Sequence, residues 1–195
     1  MTAYMKIPHA LADDILALYQ PSDSTLACRE DGQSPATFIE ALNNAGHYPD
    51  LIIFLAHALP VREAIWWACC CTDNRSDWNE AEIRAIQAAC AWVSVPDETN
   101  RRHAEAMAQA AGLETAPGWV SQAAFWSGGS LIEKGQPAVQ PPPNLYAHAV
   151  AGAINLCAVL PDGAEAEHRY PDFVRIGLNI ASGGNGRLTD EESTV

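Results

Sequence analysis

Lysine is almost missing from this chain. Only Lys6 and Lys134 stand beside nine arginines, against 24 acidic residues, and the formal charge is −13. Such an acidic surface repels a phosphate backbone, which argues against nucleic-acid binding and suits a basic protein partner. Nor is there an apolar stretch near the ~20 residues that a membrane span requires. The two longest runs, 51–59 and 145–160, are interrupted by His57, and by His148 and Asn155, so they read as core helices and no membrane insertion is expected. Residues 1–8 hold one lysine and no apolar core, so no signal peptide is expected. Six cysteines without one imply free thiols in a reducing, cytoplasmic compartment.

Catalytic punctuation is scarce too. No CxxC, no HExxH and no two helical ExxH motifs of the di-iron type occur, so neither a metal nor another cofactor is expected. Cys69-Cys70-Cys71 looks like a cluster, but consecutive helical side chains diverge by ~100°, so three thiolates on one helix cannot converge on one ion. The expectation is small buried thiols, with His57 the only neighbour placed to act as a base toward one of them. Ser127-Gly128-Gly129-Ser130 matches neither the nucleophile elbow nor the phosphate loop, and Ser130 to Lys134 misses S-x-x-K by one residue. The glycines are expected to end a helix. No catalytic residue is assigned.

Beta-branched alternation is also rare, whereas helical spacing recurs throughout. An opening helix is expected over 8–19, and a polar loop over 21–32. Ser34-Pro35 starts a helix with Phe38, Ile39 and Leu42 on one face, closed by Gly46. Pro49-Asp50 starts the apolar run 51–59, and Pro60 separates it from 61–71. After the polar residues 76–79 a longer helix reaches Val95, with Ile83, Ile86, Cys90 and Val93 as its buried stripe and Glu80–Arg84 paired on its outside. Pro96-Asp97-Glu98 opens the next, where Arg101 and Glu105 are expected to pair and Gly112 to close. Pro117 opens a helix to Trp126. A proline-rich crossing leads to 145–160, whose alanines and Gly152 suit close packing at the centre, and Tyr170-Pro171-Asp172 starts a last helix to Ala181.

The expected fold is therefore all-α: an irregular bundle of about nine helices, with solenoid-like helix pairs as the looser alternative. One helical domain would span 1–182, followed by a flexible acidic tail over 183–195. The tryptophans are the best candidates for binding. Trp66 and Trp67 are adjacent and face different ways, so one should pack inside while the other faces a groove or partner. With Trp78, Trp126, Leu131 and Ile132 they form the candidate partner-binding set. The crossing 126–143 is either an interface or a strap laid over the chain's own surface.

Two blocks carry a resemblance: Phe125-Trp126-Ser127-Gly128-Gly129-Ser130 with the proline run and Ala-rich helix after it, and Pro60-Val61-Arg62-Glu63-Ala64-Ile65-Trp66-Trp67-Ala68-Cys69 upstream. Together they resemble an uncharacterised bacterial helical family associated with type VI secretion gene neighbourhoods. The resemblance implies an accessory role and supplies no catalytic residues. Three readings follow. The first is a non-enzymatic cytosolic adaptor or accessory factor of a secretion system. The second is an acidic immunity protein that inhibits a basic toxin, and the third an unrecognised thiol or serine hydrolase. The oligomeric state is not legible.

Overall fold

Five helix starts are written by one residue each. Ser22, Ser34, Asn79, Asp97 and Thr115 each accept a hydrogen bond from the backbone N–H three residues on, and Glu82 returns the bond to Asn79 as a full capping box. The computed structural model describes residues 4–133 and 135–187, and ten α-helices form among them. They are α1 (Ala12–Leu16), α2 (Asp23–Ala27), α3 (Pro35–Asn44), α4 (Tyr48–Ala58), α5 (Val61–Asp73), α6 (Glu80–Ser94), α7 (Glu98–Ala111), α8 (Ala116–Phe125), α9 (Leu145–Val159) and α10 (Ala166–Ala181).

The tenth helix is α2, inside the segment expected to be loop. Its cap Ser22 and the neighbouring Ser24 both donate to the Asp50 carboxylate on α4, at 2.9 and 2.8 Å, so a distant residue stabilises a helix too short to stand alone. The last helix starts a turn before Pro171, which lies inside it. On α6 the buried side is turned toward Ala85, Ile86, Ala88, Ala89, Trp92 and Val93, and Ile83 is 43% exposed. Alanines let the neighbouring helices come near, so they, rather than the larger Ile83, define the contact face.

Helix α9 is central. It packs on α8 to one side and on α4, α5 and α10 to the other, while α6, α7 and α8 pack mutually. A one-dimensional stack would not return its ninth helix to its fourth and fifth, so the arrangement is a bundle and not a solenoid. The C-terminal end of α9 presents free carbonyls inside the protein. Arg75 donates to those of Cys157 and Leu160 at 2.8 and 3.0 Å, and Arg169 to those of Ala158 and Leu160 at 3.2 and 2.7 Å. Two cations thus cap the negative end of the central helix.

Residues 183–187, expected to begin a flexible tail, are docked instead. The Trp66 indole donates to the Asn185 carbonyl at 2.9 Å, and Gly186 N–H donates to Asn179 Oδ1 at 2.9 Å. Gly186 is buried with φ +78°, and a Cβ there would lie 2.9 Å from Cys70 Sγ. Only glycine fits both the backbone and the gap. The rest of that tail lies outside the described residues.

Candidate functional site

The two adjacent tryptophans part as their helical spacing demands. Trp67 is fully buried and donates to the Phe173 carbonyl of α10 at 2.7 Å. It belongs to the core and is removed from the candidate binding set. Trp66 is half-buried and forms a ridge between two adjoining clefts. The first, about 530 Å³, lies between α5, α6 and α10 and is closed by residues 186 and 187. The second, about 380 Å³, lies toward Lys6, Arg62 and Val93.

The first cleft has unusual chemistry for its size. Cys69, Cys70 and Cys90 line it with Asp73, Arg175 and Arg187. The three consecutive cysteines diverge: Cys69 meets Cys90 of α6, Cys70 faces the cleft, and Cys71 meets Cys157 of α9, whose Sγ lies 3.6 Å from the Cys71 carbonyl. Among the described residues no three histidine, cysteine or carboxylate side chains gather as a metal site. The Cys69 thiol donates a hydrogen bond to Cys90, which holds Cys90 below the ordinary thiol value and Cys69 well above it. Burial pushes Cys70 up to about 12. His57 is not part of this cleft. Its ring stacks on Tyr19 at 4.5 Å and meets His148 at 4.7 Å, and burial takes its pKa down to about 4. The expected cysteine–histidine neighbourhood does not form here.

The crossing after α8 is strapped down by two arginines. Arg101, 4% exposed, donates to the carbonyls of Phe125 and Ser130 at 2.8 and 2.9 Å. Arg102 reaches the carbonyls of Ser130 and Ile132 at 2.8 and 2.5 Å. Both pair with Glu98, and Arg102 also with Glu105, so the expected Arg101–Glu105 pair is replaced. Arg101 is turned inward to serve the strap, which leaves Glu105 to its neighbour. Gly129, at φ +68°, leaves room for this: a Cβ there would stand 2.9 Å from the Arg101 guanidinium carbon. The Trp-Ser-Gly-Gly-Ser block is thus the receptor for an arginine.

The remaining candidates are scattered around these features. Leu131 is half-buried, with its N–H on the Val139 carbonyl at 2.7 Å, and Ile132 is 36% exposed. Trp126 packs edge-on to Trp119 at 6.0 Å. Trp78 donates to the Thr72 carbonyl at 2.8 Å beneath the Arg75 guanidinium, 4.4 Å from its ring. Trp66 lies at the thiol cleft, whereas Trp126, Leu131 and Ile132 belong to the strap and its start. Sequence reasoning missed Cys90 and Arg175 as partners of Trp66. The only sequence signal was the spacing that places Cys69 and Cys90 on the inner faces of successive helices.

No helix among the described residues is long and apolar enough to cross a membrane. No curated protein and no solved structure matches the chain. The profile of a family of unknown function, DUF6931, matches residues 38–181, which takes in α4 to α10 and the walls these helices give to both clefts, and the chain belongs to that family.

Proposed function

We propose that this protein is a non-enzymatic binding module, an adaptor or accessory factor of a bacterial type VI secretion system, which grips a partner protein around Trp66. The observation that carries the reading is the indole ridge between two adjoining clefts, an aromatic anchor already flanked by grooves. The chemistry of the larger cleft favours binding over turnover. Its walls hold thiols, carboxylates and arginines but no histidine, and Asp172 and Arg175 there are already joined in an ion pair. The test is titration calorimetry of the purified chain against purified secretion-apparatus components. Binding by one component, weakened by about 1–3 kcal/mol in Trp66→Ala while the variant stays folded, supports the adaptor. Unchanged binding moves the interface elsewhere.

A second reading is favoured by the charge distribution. Most cations are engaged within the chain by carboxylates or backbone carbonyls, so the outer field is left to the surplus carboxylates, as suits an inhibitor of a basic toxin. A ~1:1 nanomolar complex that abolishes a toxin's activity would select that reading over the adaptor.

A further inference from the structure

Four of the six cysteines are paired across helices, and the two pairs differ in access. Cys71 and Cys157 are both sealed in the core. Cys69 and Cys90 meet in the wall of the larger cleft, with Cys69 buried and Cys90 half-exposed. We infer that Cys90 and Cys69 are a hydroperoxide-sensitive dithiol, in which Cys90 is oxidised at the cleft and Cys69, directly behind it, closes a disulfide between α5 and α6.

The geometry supplies each requirement. Attack needs a thiolate that a small oxidant can reach, and Cys90 is the member of the pair that solvent reaches. Cys69 and Cys90 stand in the wall of one cleft on two packed helices, and the hydrogen bond from Cys69 favours negative charge on the Cys90 sulfur. Asp73 opposes that charge, while Arg175 and Arg187 line the same cleft with positive charge. Cys70 shares the cleft but is a poorer nucleophile, because it packs under Gly186 and burial keeps its thiol protonated. In the first step the Cys90 thiolate attacks one oxygen of the hydroperoxide and the O–O bond breaks. Cys90 becomes a sulfenic acid and the other oxygen leaves as alcohol or water. In the second step the Cys69 sulfur attacks the Cys90 sulfur. Its proton leaves with the sulfenic hydroxyl as water, and the two thiols have together given two electrons to the peroxide. The bond forms next to Trp66, so oxidation fastens two walls of the proposed binding groove. The dithiol chemistry itself does not depend on that groove having a partner.

The experiment uses the full chain, reduced, freed of reductant and treated with equimolar hydrogen peroxide, then alkylated and mapped without reduction. The expected result is loss of two of the six free thiols, with fragmentation of the linked peptides locating the bond at Cys69 and Cys90. Adding dimedone to Cys69→Ser should label Cys90, because its sulfenic acid then lacks its resolving partner, and Cys70→Ser should leave the bond intact. A Cys70–Cys90 bond, a dimer linked through Cys28, or full retention of all thiols would each overturn the proposal. The wild-type map decides the matter even if a serine variant does not fold.

Discussion

Arg101 shows how much one side chain can organise. Its guanidinium is buried, donates to two backbone carbonyls of the strap and is paired with Glu98. Truncation would strand the Phe125 carbonyl, while Ser130 keeps Arg102 and the exposed Glu98 rehydrates. Arg101→Ala should therefore cost about 2–4 kcal/mol, less than a fully buried ion pair, read as a lower urea midpoint. Arg101→Lys should recover only part, since an ammonium cannot serve the fork of acceptors. His57 gives a second residue-scale expectation. It is 3% exposed, its Nδ1–H is held by the Ile53 carbonyl at 2.7 Å, and it has a pKa of about 4 against an ordinary 6.5. Above pH 6.5 both folded and unfolded histidine are neutral and nothing changes. Between 6.5 and 4 the unfolded chain takes up a proton that the folded one refuses, so stability falls with pH and levels off below 4. The loss from this group is roughly 3 kcal/mol. His57→Gln should flatten that part of the pH–stability curve, whatever it does to stability at neutral pH. An unchanged slope would mean that the histidine takes up its proton within the fold.

At the scale of elements, two glycines separate tight packing from loose. Gly177 on α10 faces α5 and α4, where a Cβ would lie 2.6 Å from Trp67 Cε2 and 2.8 Å from Leu55 Cδ2. Gly177→Ala must push α10 away from Trp67 and stretch its bond to the Phe173 carbonyl, at a cost of about 1–3 kcal/mol. Gly152 on α9 has only Trp119 near, at 4.0 Å, so Gly152→Ala should be neutral or stabilising by up to about 1 kcal/mol. Paired thermal melts check both signs. The contrast also measures what was legible. The alanines of 145–160 marked α9 as the inner helix, because burial on all sides is written in composition. They did not show that α10 presses a glycine, Gly177, against α5 and α4, because that depends on the large side chains standing opposite it. Caps and prolines were readable since they act on their own backbone, as Ser34-Pro35 does. Helix α2 was missed because Asp50, which holds it, comes from another part of the chain. The arginines that hold the strap and cap α9 were missed for a related reason. Arg75, Arg101, Arg102 and Arg169 bind backbone carbonyls, and a carbonyl leaves no trace in residue type. The Trp66 ridge was half legible: adjacency showed that one indole faces outward, but not that a second helix brings Cys90 beside it.

For the whole molecule the decisive quantity is charge. Of the few cations, Lys6 pairs with Glu63, Arg29 with Asp13, Arg84 with Glu80, and Arg102 with Glu98 and Glu105. Arg62 binds the Val93 carbonyl, and Arg169 is spent on the end of α9. A net −13 is thus left largely to carboxylates distributed over the outside. Two salt effects then compete. Screening weakens the exposed ion pairs, each worth at most about 1 kcal/mol, and it also weakens the repulsion among the surplus carboxylates. Repulsion should win, because the surplus acts over the whole surface while each exposed pair is already weakened by water, and the buried guanidinium contacts are screened little. Raising sodium chloride from roughly 20 to 200 mM, which shortens the Debye length from about 20 to 7 Å, should raise the melting temperature. If the gain is ~1 kcal/mol, the shift for a chain of this size is about 2–4 °C. Arg101→Ala should show the same rise from a lower starting point, because its lost contacts are buried and insensitive to salt. A melting temperature that falls with salt would show that the surface ion pairs outweigh the net charge. It would also weaken the case that an uncompensated acidic field draws a basic partner to this protein.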